Sequence, residues 1–177
     1  MKTPVTRFYS IPRVENWSAW ARIWITDDGC FTTISDHGNY GYWWGSPGCE
    51  FRKFLCGIDD DYLSRKLAGG ERELDEKATI RSVKERILRC RRDSYLSKEE
   101  ARREWCLMKE TDWDGEYSRV QWYDATVLSD AAEVLRYRIP MQVQMFVKHL
   151  WPPFVAELRR ELASEALREA MSPVSSL

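Results

Sequence analysis

Two histidines, five cysteines and a scatter of aspartates are the side chains in this 177-residue chain best equipped to do chemistry. His37 follows Asp36 inside FTTISDHGNYGYWWGSPGCEF (31–51), which packs glycines, aromatics, an Asp-His pair and a cysteine into a short space. A metal-dependent hydrolase would draw on Asp27, Asp28, Asp36, Asp59, Asp60 and Asp61. Turns and helix caps already account for each of those carboxylates. Neighbours on a strand or turn diverge, so Asp36 and His37 do not make a dyad, and His149 in QMFVKHLW reads as a residue of an amphipathic helix. Zinc takes four soft or imidazole ligands, paired two to four residues apart. Cys30, His37, Cys49 and Cys56 lack that spacing, and Cys49 and Cys56 stand seven residues apart. No catalytic residue, metal ligand or cofactor is assigned.

The glycines and aromatics of the same stretch raise two further readings. Gly38, Gly41, Gly45 and Gly48 recur every three or four residues, but a phosphate loop joins a strand directly to a helix and carries Gly-Lys-Ser/Thr, which is missing here. Turn and strand-end glycines explain them. Tyr40, Tyr42 and Trp44 share one face of a strand, and exposed strand aromatics stack single-stranded bases. Such sheets carry many cations, whereas only Arg22, Arg52 and Lys53 lie near this one. One aromatic row is therefore expected to pack as core and the other to form a surface. The candidate partner-binding residues are His37, Asn39, Tyr40, Tyr42, Trp43 and Trp44. A separate basic element, KERILRCRRD (84–93), makes Arg81, Arg86, Arg89 and Arg92 the candidates for nucleic acid. Glu85 shares their face, and acidic residues first with basic ones last also suit the helix dipole.

Composition bounds these choices. A net charge of -1 argues against a general nucleic-acid or membrane coat. Nine tryptophans and 13% aromatics are far above ordinary usage, as an unusual core or an interface would require. There is no apolar run of the ~20 residues needed to span a bilayer, and MKTPVTRFYSIPRV lacks an apolar signal core. An odd number of cysteines without a paired framework suits free thiols in a reducing cytosol.

The elements that hold these residues switch period along the chain. SAWARIWIT (18–26) alternates, with Ala21, Ile23 and Ile25 on one face and Trp20, Arg22 and Trp24 on the other. Asp28-Gly29 makes a turn, CFTTIS (30–35) returns, Gly38-Asn39 makes a second turn, and YGYWW (40–44) closes a three-stranded antiparallel meander. Ser46-Pro47 is expected to open a short helix that buries Phe51, Phe54 and Leu55 and stops at Gly57. Asp59 caps the next helix, and Gly69-Gly70 breaks the chain. A long helix over 74–92 buries Ile80, Val83, Ile87 and Cys90. SKEE (97–100) is a capping box opening a helix that buries Ala101, Trp105 and Met108. Further helices are expected at 116–125, 129–138, from Pro140 to near Trp151, and from Pro153 onward with Phe154, Leu158, Leu162 and Ala166 in register. The expected fold is α+β: the meander packed against about six or seven helices. It forms a single domain over 1–171, divided into 1–70 and 71–171, with 172–177 as a flexible tail.

WITDDGCFTTISDHGNYGYWWGSPGCEFRKFLCGIDDDYLSRKL (24–67) resembles a pattern in small accessory proteins of tailed phages and prophages. There a strand, an Asp-Gly turn, a Ser-Asp-x-Gly-Asn-Tyr segment and a Trp precede a Phe-Arg-x-Phe-Leu helix and an Asp-x-Asp-Tyr-Leu helix. The likeness continues through WYDATVLSDAAEVLRYRIPMQVQMFVKHLWPPF (122–154). His37 stands where that pattern has an aromatic, which speaks against a catalytic role for it. The resemblance implies a non-enzymatic accessory protein of the bacterial host cytoplasm that binds and disables a host factor, with defence complexes such as CRISPR effectors as targets. Nucleic-acid binding through the 81–92 helix is the alternative, and a metal-dependent hydrolase comes third.

Thiol titration of protein purified without chelator is expected to count all five cysteines, with no bound zinc. One equivalent of zinc, lost together with stability on chelation, would overturn that reading.

Overall fold

The computed structural model describes residues 3–12 and 19–171. Its elements run β1 (Thr6–Ile11), β2 (Ala21–Thr26), β3 (Cys30–Ser35), β4 (Gly38–Trp43), α1 (Phe51–Gly57), α2 (Asp60–Leu67), β5 (Glu73–Leu74), α3 (Glu76–Arg92), α4 (Lys98–Glu110), α5 (Glu116–Ala125), a 3-10 turn (Ala131–Val134), β6 (Tyr137–Arg138), α6 (Met141–His149) and α7 (Trp151–Met171). The fold is α+β. The chain divides into two compact units, one made of residues 1–71 and 139–177 and the other of residues 72–138. The expected tail at 172–177 lies outside the described residues.

The first unit is built on a sheet of four antiparallel strands in the order β1-β2-β3-β4, one more than the meander predicted from the sequence. The added strand, TRFYSI, buries only Tyr9 and Ile11, so its apolar alternation is too short to stand out. Alternation on β2 holds: Ala21, Ile23 and Ile25 are buried, while Arg22 is exposed and Trp24 half-buried. The turns differ in detail. Gly29 N–H donates to Thr26 O at 3.1 Å, so the first turn takes in Asp27, Asp28 and Gly29, and only Gly29 has positive φ (95°). In the second, Ser35 pairs with Gly38, leaving Asp36-His37 at the tip in place of Gly38-Asn39. Ser35 Oγ holds that tip by donating to Gly38 O at 2.7 Å and accepting from His37 N–H at 3.2 Å.

One sheet face is covered by helices of the same unit. Ile23, Ile25 and Phe31 join Leu55, Leu63, Phe146, Trp151, Phe154 and Leu158 in one core. Phe31 meets Trp151 and Phe154 with ring centroids 5.7 and 6.0 Å apart. Helix α1 starts at Phe51 rather than at Pro47, because Gly48 adopts φ 77° and interrupts any helical run through it. Asp59 caps α2 by accepting from Tyr62 N–H at 2.7 Å. Helix α7 starts at Trp151, with Pro152 and Pro153 in its first turn, where the missing N–H groups cost nothing. Phe154 and Leu158 are buried as expected; Leu162 is half-buried and Ala166 exposed.

A buried arginine ties this layer together. Arg52 on α1 is 6% exposed. Its Nη1 and Nη2 donate in parallel to both carboxylate oxygens of Glu165 on α7, at 2.8 and 2.6 Å. Its Nε donates to Glu50 at 2.6 Å, and Glu161 lies 3.6 Å from Nη1. Glu161 also accepts from Tyr9 Oη at 2.8 Å, which brings β1 into the cluster. The fork geometry matches a guanidinium to a carboxylate, and the partial burial of the acids strengthens it.

The second unit has its own core of Val83, Ile87, Cys90, Met108, Trp113, Trp122 and Val134 among others. Ser97 and Glu100 form the predicted capping box of α4. Met108 is buried, but Ala101 and Trp105 are only half-buried, and the most buried residue of α4 is Glu104, at 1% exposure. Its carboxylate accepts from Thr126 Oγ1 at 2.5 Å and Val127 N–H at 3.1 Å, which fastens the end of α5. The helix expected at 129–138 is absent. Asp130 takes φ 55°, only Ala131–Val134 wind, and Tyr137–Arg138 extends to pair with Glu73–Leu74. Backbone groups of Arg136 are claimed by Thr79 Oγ1 at 2.9 Å and Asp75 N–H at 2.7 Å, and Pro140 favours an extended Ile139 before it.

The Arg52 hydrogen bonds hold the Glu165 carboxyl below its ordinary range near 4.5. A depressed carboxyl contributes stability above about pH 4.5 that is lost as pH falls through its folded-state value. Arg52→Met is expected to cost about 2–3 kcal/mol at pH 7, because the carboxylates left behind are only partly exposed. That corresponds to a melting point lower by roughly 5–10 °C. Glu165→Gln should cost less and flatten the acid limb of stability. An unchanged melting point in Arg52→Met would refute this account.

Candidate functional site

The uncovered face of the sheet carries the exposed aromatics. Phe8 (54% exposed), Ile34 (44%) and Trp43 (63%) point away from the helices, and Trp24 is half-buried among them. Register sets them on one face. Phe8 pairs with Trp24, and their rings lie 5.2 Å apart. Trp24 pairs with Thr32, Thr32 with Gly41, and Arg22 with Ile34. Trp43 pairs with Cys30, one step diagonal from Thr32. Trp43 is held in place although exposed: its Nε1–H donates to Asp28 O at 2.9 Å. Gly45 leaves room for its ring, since a Cβ there would stand 3.0 Å from Cη2. Gly41 gives the patch a shallow floor between Trp43 and Asn39.

The sequence candidates sort by strand parity. Asn39 and Trp43 lie on this outer face. Tyr40, Tyr42 and Trp44 turn inward to the helices. Tyr40 meets Phe146 at 5.4 Å, and its hydroxyl donates to His37 O. Tyr42 accepts from Lys66 Nζ at 3.0 Å. Trp44, 6% exposed, donates to Tyr62 Oη at 3.0 Å and packs on Phe51 and Phe54. Sequence reasoning missed Phe8 and Ile34, and it put Trp24 on the face of its strand opposite Ala21, Ile23 and Ile25 without a partner. The signal that would have found them is the unread strand β1.

His37 sits apart from the patch, at the tip of the β3–β4 turn. Its ring lies 6.5 Å from that of His149, at the end of α6, so the fold brings together the chain's two histidines. Nε2 of His37 is buried without a hydrogen-bond partner, and Nε2 of His149 is buried too. Burial, with Lys148 and His37 nearby, holds the His149 imidazole below its ordinary value of 6.5. Among the described residues no group of three or more His, Cys, Asp or Glu is placed to hold a metal ion. All five cysteines are free.

In the second unit Arg81, Arg89 and Arg92 of α3 are exposed, whereas Arg86 is half-buried and ion-paired with Glu133 at 3.2 Å. Arg86, Arg89 and Arg136 line a recess of about 80 Å³ together with Glu85 and Glu133, so acids are interleaved with the cations. Helix α5 adds exposed Tyr117, Val120 and Tyr123, a second apolar strip that the sequence reading did not single out. Among the described residues no helix is long and apolar enough to cross a membrane.

A one-sided antiparallel sheet backed by helices, with aromatics on its open face, defines an α+β protein with an exposed apolar surface. The chain belongs to a phage protein family, the phiTE_072 family, whose model matches residues 1–160. No curated protein and no solved structure matches it.

The histidine pair predicts a pH dependence near neutrality. Below about pH 6.5 the unfolded chain takes up a proton at His149, while the folded site resists it. Stability therefore falls as pH drops through 6.5 and levels off below the folded-state value. Melting curves between about pH 7.5 and 5.5 should fall with acid in the native protein and fall less in His149→Gln. A histidine NMR titration with an ordinary midpoint for His149 would refute the assignment.

Proposed function

We propose that this phage-family protein is a non-enzymatic binding protein that acts in the bacterial host cytoplasm. It inhibits a host defence system, such as a CRISPR effector complex, by stoichiometric protein–protein contact. The observation that carries the reading is the set of Phe8, Ile34 and Trp43, exposed on the open face of one sheet together with half-buried Trp24. Single exposed apolar side chains are ordinary, but a clustered set marks an interaction surface. Trp43 has the properties of an anchor: large, amphipathic and already fixed by its bond to Asp28 O. Membership of a phage family supports the choice of a host target; no chemistry in the chain names which one.

A second reading, binding of nucleic acid through α3, is favoured by the exposure of Arg81, Arg89 and Arg92 without ion pairs among the described residues. Glu85 and Glu133 beside Arg89, and the overall charge of -1, work against it.

Expression in a host with active CRISPR interference tests the main reading. The native protein should raise plaquing of a targeted phage, and Trp43→Ala should cut that rescue at least tenfold while remaining folded. Tenfold is about 1.4 kcal/mol of binding. Rescue that survives Trp43→Ala but is lost in Arg81→Ala/Arg89→Ala/Arg92→Ala would favour α3. No rescue against any defence system tested would leave the inhibitor reading without support.

A further inference from the structure

We infer that the outer sheet face takes a protein surface bearing a carboxylate set among apolar side chains, with Arg22 as the group that receives it. The inference rests on the reading of this face as the docking surface and adds the chemistry of its partner.

Arg22 is the one charged side chain among the outward-facing residues of β1–β4, and it lies inside the patch. It pairs across the sheet with Ser10 on one side and Ile34 on the other, one row along from Phe8 and Trp24. It is exposed and makes no ion pair or hydrogen bond with the described residues. Ile34 beside it and Trp24 two residues along the strand give this guanidinium an apolar setting. A carboxylate delivered there is received by a planar fork that stays charged at every physiological pH. Partners that bring no acid would bury Arg22 uncompensated, at a cost in affinity.

The ends of the face carry the opposite sign. Asp27 and Asp28 stand at the β2–β3 turn and Asp36 at the β3–β4 turn, all exposed. Among the described residues, a ligand with charge along its length, such as single-stranded nucleic acid, would meet one cation and three carboxylates. A ligand with a single acid meets attraction at Arg22, while Asp36, whose N–H donates to Trp20 O two residues from Arg22, marks the side on which that acid is repelled. The three aspartates therefore also fix where the acid lies, because a shifted partner would set its carboxylate against one of them. Over Thr32 and Gly41 the missing side chain of Gly41 leaves space beside Trp43 for an apolar residue of the same partner.

Selection of displayed random 12-residue peptides on the immobilised full chain tests this whatever the identity of the partner. Three baits are compared: the native protein, Arg22→Glu and Trp43→Ala, each first shown by its melting curve to be folded. Native protein is expected to enrich peptides with Asp or Glu within a few positions of Trp, Phe or Leu. Arg22→Glu should exchange that acid for Lys or Arg. Trp43→Ala should lose enrichment at least tenfold. If Trp43→Ala fails to fold, Ile34→Ser on the same face replaces it. Peptides that depend on Trp43 but show no acid bias, or keep their acid on Arg22→Glu, overturn the inference and leave the docking face intact. Enrichment indifferent to both substitutions, or no enrichment on native protein, overturns the inference and the docking face together. A parallel titration with a dT12 oligonucleotide is expected to show no binding; binding through this face that weakens steeply with salt would assign the surface to nucleic acid instead.

Discussion

Side chains on a strand alternate between two faces, and the helices of the first unit cover only one face of its sheet. Most of what is distinctive in that unit follows from this constraint. Adjacent tryptophans at the end of β4 meet opposite fates: Trp43 stands in solvent and Trp44 in the core. Each satisfies its indole N–H, Trp43 on Asp28 O and Trp44 on Tyr62 Oη, so neither is left with an unpaired donor. A slip of one residue would exchange them and pull Asn39 inward while expelling Tyr40. Register is therefore held at both ends of β3. Gly29, with φ 95°, lets Trp44 N–H reach Gly29 O at 2.9 Å; a Cβ on Gly29 would stand 2.1 Å from Trp44 O. At the other end Ser35 Oγ bridges the two sides of the Asp36-His37 tip.

The same constraint explains why the first unit needs a buried ion cluster. Its helical layer includes α1, a helix of seven residues, which is too short to be stable by itself. Phe51 and Leu55 give it an apolar footing, and the parallel bonds from Arg52 to Glu165 tie it to α7. Trp44 packs on Phe51 and Phe54, so the position of α1 and the inward face of β4 support each other. Breaking the arginine cluster would reach the sheet through this contact, without any change on the outer face.

Legibility in the sequence followed the strength of the local signal. The alternation of β2, the Asp59 cap, the Ser97 capping box and the Val83–Ile87–Cys90 stripe were all readable, because each depends on residues a few positions apart. Strand β1 was not, since two buried residues between prolines carry little period. The missing helix at 129–138 failed for a different reason: Arg136 is held extended by Thr79 and Asp75, partners more than fifty positions away in sequence. The approach of His149 to His37 and the fork from Arg52 to Glu165 have the same origin. For the surface, local alternation sufficed to separate Trp43 from Tyr40, Tyr42 and Trp44 once the strand was placed. Assembling Phe8, Trp24 and Ile34 around it required the pairing of strands.

The two exposed candidate surfaces differ in what binding would demand of them. Arg81, Arg89 and Arg92 stand on a solvated helix face as long side chains that must each be ordered when a ligand arrives. Their attraction for phosphate is diluted by Glu85 and Glu133 and weakened by salt. On the sheet, the strands are paired along their length, Trp43 is already oriented by its bond to Asp28 O, and Phe8 rests on Trp24. At these aromatics little conformational freedom remains to be lost, and Arg22 is the one long side chain of the face to be ordered. An aromatic surface ordered in advance gives up less entropy on association than a set of free arginines, and its contacts are insensitive to salt. Of the two, the outer sheet face is the one whose order is already set by folding, and that favours it over α3 as the docking surface proposed above.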